Sequence, residues 1–252
     1  MYELPSYVWA TVLIGAIGIP AATCVALYRG AVRAGFGWRA GVGVGTAAAV
    51  LLGGWLVTSG LLARAGAYDR EGPPPTLAVA AVGTLIALLL ATRIPVVSSV
   101  LAAPGTAARL ALPHTFRIMG GAFLVVMALG HLPALFALPA GLGDIATGVA
   151  APFVAGRLVR GTGRTGAVWF NVLGLADLVV AVSMATLAQL LLISPSTQPL
   201  RLLPLALIPT TAVPLAVALH IVSLGRLLRA ARREDGTSDD SSGPARERTL
   251  PV

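Results

Sequence analysis

Only two of the ten acidic residues in this chain, Asp144 and Asp177, lie inside apolar sequence, and the other eight sit in end segments or a polar loop. An ionisable group in an apolar helix is costly to bury and usually faces the protein interior, so each of the two is a candidate proton donor. A helix entering the membrane near Ala167 carries Asp177 about 15 Å deep, near the bilayer centre. Asn171 is turned about 120° from it on the same helix, and Gly174 between them leaves a gap. A purely structural, hydrogen-bonded aspartate is the other reading of Asp177. Asp144 follows Gly141-Leu142-Gly143, where an aspartate ordinarily caps the amides of a helix start, so capping stands beside catalysis for it. His131 would meet Asp144 if the loop between them folded back.

The remaining polar candidates gather toward the cytoplasmic side: His114 and Arg117 at the start of one helix, Asn171 on another, and His220 on the last. Arg117 would bind an anionic substrate group or snorkel to the surface. His220 would bind substrate, pass a proton, or bond a backbone carbonyl. Arg117, Gly121, Leu124, Ala128 and His131 recur at helical spacing and form one stripe. With no His-x-x-His pair and a single cysteine, Cys24, the spacing supports neither a metal nor a haem site, and no cofactor is expected. All 18 basic residues are arginine, which excludes chemistry through a lysine Schiff base.

The elements that position these groups follow from composition. A chain of 252 residues that is 56% hydrophobic and 11% charged, with a mean hydropathy of +0.85, is not a soluble domain. A bilayer core needs roughly 20 apolar residues per helix. Seven such segments occur, at 7–28, 41–63, 76–91, 115–132, 143–158, 167–193 and 202–224. The fold class expected is an all-α bundle of about seven transmembrane helices, multi-pass in the cell membrane. Arginines alternate between the connections, 15 on one side and only Arg64, Arg70 and Arg201 on the other. By the positive-inside rule the N-terminus is outside and the C-terminus cytoplasmic. The net charge of +8 then reflects orientation and attraction to anionic lipid, not nucleic-acid binding.

The transmembrane domain is expected over 1–229, with 230–252 as a disordered cytoplasmic tail. Pro95–Pro113 reads as an interfacial segment broken at Pro104-Gly105, and His131–Asp144 as an outer loop, either ordinary or re-entrant. Pro209 and Pro214 free the carbonyls of Leu205 and Thr210, which would either be refilled by Thr210 and Thr211 hydroxyls or line a cavity. Gly41 and Gly45 have the small-xxx-small spacing that also serves homodimers. The best functional fit is a membrane-embedded enzyme acting on a hydrophobic, isoprenoid or lipid-like substrate by carboxylic-acid proton donation, a terpene cyclase-like activity. Asp177 and Asp144 would be catalytic, and Asn171, His220, Arg117, His114 and His131 substrate-binding. A proton-coupled permease relaying through His131, the acids and His220 is the alternative, with a structural membrane protein as the third.

Overall fold

The computed structural model describes residues 4–70 and 75–240, and among the described residues every regular element is helical. Helices α1 (Ser6–Arg33), α2 (Gly37–Arg64), α3 (Thr76–Ala91), α4 (Pro95–Ala102), α5 (Thr106–Ala111), α6 (Gly121–Ala128), α7 (Ala134–Val159), α8 (Arg164–Leu190) and α9 (Val213–Asp240) follow in order. A 3-10 stretch, Leu112–Gly120, joins α5 to α6, and a π-helical turn, Ile208–Ala212, leads into α9. Six stretches are long and apolar enough to cross a membrane, and the bent pair α3–α4, meeting at 78°, makes a seventh if taken as one span.

The segment expected as an interfacial stretch divides in two. After Pro104 the chain turns at Gly105, whose φ of +72° is cheap only for glycine, and α5 starts there. It buries Thr106, Ala108, Arg109 and Leu110 in the bundle, and the Arg109 guanidinium donates to the Pro104 carbonyl at 2.6 Å and to Thr106 Oγ1 at 2.7 Å. The stretch Thr106–Ala128 is therefore one span, which begins well before Thr115.

The outer loop expected over His131–Asp144 is helix from Ala134 onward, neither an ordinary loop nor a re-entrant turn. Pro133 takes the N-cap position and Pro139 lies inside α7. Where surroundings are apolar, backbone groups have no water to bond instead, and helices tolerate Gly and Pro that would break them in water.

The last span starts at Ile208 rather than Leu202, so Pro204 precedes it. Both carbonyls freed by proline are satisfied: the Ile208 amide donates to Leu205 O at 3.0 Å, and the Trp55 indole of α2 donates to Thr210 O at 2.9 Å. The Thr210 and Thr211 hydroxyls bond Ala206 O and Leu207 O instead. Tyr68, Ser59 and Thr210 link their hydroxyls at 3.0 and 2.7 Å, fastening α2 to the π turn. Helix α9 continues through the first part of the expected tail to Asp240, and 241–252 lie outside the described residues.

Small residues bring helices together within the chain. A Cβ on Gly41 would stand 2.9 Å from Val32 and 3.2 Å from Tyr28, and one on Gly45 3.3 Å from Tyr28, so both glycines serve α1–α2 packing. One core forms around Val8, Val12, Val126 and the edge-to-face pair Phe123–Phe136, whose centroids are 5.1 Å apart. A second gathers Ile19, Leu110, Leu215 and Leu219. Helix α3 buries no residue. It stands at the rim of a cavity of about 710 Å³, which α7, α8 and the residues around the π turn also line.

Candidate functional site

Arg117, Asp177 and His220 each lie near the midpoint of their span, and Asp144 lies well inside α7. That common depth lets three helices and the 3-10 stretch deliver polar groups to one level. Arg117 is 3% exposed. Its Nε donates to Asp144 Oδ1 at 2.7 Å and its Nη2 to Asp177 Oδ2 at 2.5 Å, so one guanidinium bridges two carboxylates. Its Nη1 lies 3.1 Å from His220 Nε2. Because a guanidinium only donates, Nε2 must accept, and the ring's proton sits on Nδ1. Nδ1 is 3.0 Å from Asn171 Oδ1, and the Asn171 amide donates in turn to Ala167 O at 2.7 Å. The direction of the bonds from Arg117 through His220 to Asn171 is thus fixed by the guanidinium, which can only donate.

Behind His220 stands His114, stacked on it with centroids 3.8 Å apart and planes 21° from parallel. Phe170 packs beside both rings, edge-on to His114 at 5.7 Å and tilted against His220 at 5.3 Å. Both His114 nitrogens are buried without a hydrogen-bond partner among the described residues. The ring is therefore a packing partner that holds the His220 plane upright.

Glycines leave the room that the charged side chains occupy. A Cβ on Gly143 of α7 would overlap Asp177 Oδ1, one on Gly120 would overlap the Asp144 carboxylate, and one on Gly174 would overlap the His220 ring. Only at glycine can these backbones approach closely enough for Arg117 to reach both acids.

The two acids also line one end of the large cavity. Asp144 and Asp177 line it, while His114, Asn171, Arg117 and His220 do not. Along α8 the lining residues are Asp177, Leu178, Ala181, Val182, Ala185, Thr186 and Gln189, one face at helical spacing that passes from acid through apolar to polar. From Asp177 to Gln189 is about 18 Å along the axis at 1.5 Å per residue. Phe123, Phe136 and Ala140 close the wall on the side of α6 and α7.

Several expectations are corrected by this geometry. Asp144 is not a helix cap, since Pro133 holds that place and the carboxylate is spent on Arg117. Arg117 does not snorkel: its guanidinium is buried and directed at Asp144, Asp177 and His220. Arg117, His114 and His220 lie at mid-depth rather than near one surface, because their spans begin or end further out than the apolar runs suggest. The stripe from Arg117 to His131 is not continuous, because the 3-10 stretch advances about 120° per residue instead of 100°. His131 ends up in the turn before α7, and Asp144 is about 15 Å further along that helix, so the two are not brought together. Asn171, His220 and Arg117 are brought together with Asp177 as a hydrogen-bonded series, in which Arg117 bonds Asp177 and His220, and His220 bonds Asn171. Among the described residues no group of three metal-binding side chains occurs. Sequence reasoning missed the arginine bridge and the roles of Gly120 and Gly143. The signal was present: each acid has glycine beside it on its own helix or on the facing one.

A family model described as a domain of unknown function (DUF8737) matches residues 74–228, the part that supplies every residue of the cluster and all but two residues of the cavity lining. Neither a curated protein nor a solved structure matches the chain.

Proposed function

This chain belongs to the DUF8737 family, and we propose that it is a membrane-embedded enzyme that moves protons on an apolar, isoprenoid or lipid-like substrate held between α3, α7 and α8. One observation carries the reading: two carboxylates converge at the end of a largely apolar cavity of about 710 Å³, within the size range of small-molecule sites.

Charge balance supports it. Arg117 offsets one carboxylate, and the second is balanced by a proton or by positive charge developing on a substrate. With one proton shared by the acids, the Asp177 carboxyl gives it to an alkene carbon of the substrate, leaving a carbocation beside two carboxylates. Asp144 then takes a proton from a carbon next to the cation, which restores a double bond. The substrate is isomerised or cyclised without gain or loss of electrons, and the proton returns from Asp144 to Asp177 across the cavity floor. Arg117, His220 and Asn171 act as positioning residues.

The proton-coupled permease is the less favoured reading. A proton relay from the acids to His220 would have to cross Arg117, which has donors and no acceptor and so interrupts a hydrogen-bond wire. His131, the outer member of that relay, stands off from Asp144.

The arginine distribution supports an orientation with the C-terminus in the cytoplasm of a cell membrane. The test is expression in a host rich in polyprenyl lipids grown in deuterated water. A lipid product that carries solvent deuterium should appear with the native chain and disappear with Asp177→Asn at equal membrane abundance. Identical products from both chains remove Asp177 as the acid.

A further inference from the structure

The end of the cavity remote from the acids is lined differently from its floor. Arg70, which is exposed, and Arg201, which is half-buried, both line it there, together with Thr186, Gln189 and Thr197. These are two of the three arginines on the arginine-poor side of the chain, so the positive-inside rule does not account for them. Among the described residues neither arginine forms a salt bridge. Asp69, beside Arg70 in the sequence, accepts from the Gln198 amide at 3.3 Å, which joins the α2–α3 connection to the 3-10 turn Gln198–Arg201 at the cavity rim.

We propose that this rim holds the anionic head group of an amphiphile whose apolar chain fills the cavity and ends at Asp144 and Asp177. The shared chemistry is a phosphate or carboxylate on a long hydrocarbon. Charge complementarity selects the head: two arginines line the same end of the cavity, and planar forked donors suit a phosphate or carboxylate oxygen pair. Shape selects the tail: the α8 face between Asp177 and Thr186 is apolar and the cavity runs about 18 Å from floor to rim. The opposite placement, anion at the floor, is excluded by the two carboxylates there. The inference deepens the proposed function by naming the substrate class and the end of it that meets the acids.

The test is equilibrium binding to the purified full-length chain in a non-ionic detergent, with dodecyl phosphate, dodecanol and inorganic phosphate as probes. Dodecyl phosphate should bind at least about tenfold more tightly than dodecanol, the worth of one charge-assisted contact. The double variant Arg70→Gln/Arg201→Gln should lose that preference, and Ala181→Trp, which fills the cavity, should weaken both long-chain probes. Inorganic phosphate should not compete at the same concentration. Equal affinity for dodecanol and dodecyl phosphate in the native chain, or a preference that survives in the double variant, overturns the proposal. Competition by inorganic phosphate as strong as by dodecyl phosphate would also overturn it, because the site would then be one for a free anion. The readout is binding and involves no proton transfer, so loss of the catalytic reading through Asp177→Asn would leave this result standing, and the reverse holds as well.

Discussion

Arg117 is the residue on which the polar centre depends. Removing it leaves two carboxylates buried side by side with no cation, whereas removing one acid leaves a matched pair. Breaking a buried ion pair from one side costs about 3–5 kcal/mol. Arg117→Leu should therefore lower the melting temperature in detergent far more than Asp144→Asn does, and Arg117→Leu/Asp144→Asn/Asp177→Asn should regain most of the loss. A single Arg117→Leu variant that melts with the native chain would contradict the bridge. For turnover the order reverses. Asp177→Asn keeps Arg117 paired with Asp144, so the bundle should stay folded while a general acid worth on the order of 10²–10⁴ in rate is lost.

At the scale of the element, the site is made by helices that carry glycine where a charge must fit. Gly143→Ala places a methyl on the Asp177 carboxylate, and Gly174→Ala places one on His220. Overpacking of this kind costs about 1–3 kcal/mol, and here the strain falls on the two bonds that position Arg117. Gly83→Ala on α3, whose Cβ would meet open space, is the matched control and should melt like the native chain. Similarly, Trp55→Phe leaves the Thr210 carbonyl without its donor and should cost about 1–3 kcal/mol.

These same elements explain which parts of the structure were legible in the sequence. Helix α8 was, because its apolar run is unbroken and Asp177 sits within it. The starts of α5 and α7 are not, because α5 begins directly after the Pro104-Gly105 turn, and 134–143, with Pro139 and two glycines a breaker sequence in water, is helix in an apolar setting. Boundaries drawn at those breakers place Arg117 and Asp144 near the ends of their helices. With Asp144 read as an end cap and Arg117 as a surface group, the pairing of the two could not be seen, although all three members of the bridge had been singled out.

For the whole molecule, the cavity and the arginine count lead to one statement about which side faces which. The connection Ala65–Arg70 and the stretch 191–201 belong to one end of the bundle, as the Gln198–Asp69 bond requires, and that end holds Arg64, Arg70 and Arg201. Apart from Arg117 at mid-depth, the other described arginines lie toward the opposite end, the end that the positive-inside rule would assign to the cytoplasm. On the proposed orientation the cavity rim would face outward and the acids would be reached from the outer leaflet. Because Cys24 is the only cysteine, labelling can test this directly in a Cys24→Ala background. Ser196→Cys, at an exposed position near the rim, should react with a membrane-impermeant maleimide in intact cells, whereas Thr162→Cys, exposed between α7 and α8, should react only after permeabilisation. The reverse pattern would invert the molecule, put the rim arginines on the cytoplasmic side, and place them where a head group arriving from the cytoplasm would be captured. Labelling of both positions in intact cells would mean mixed orientation, which an arginine asymmetry this large argues against.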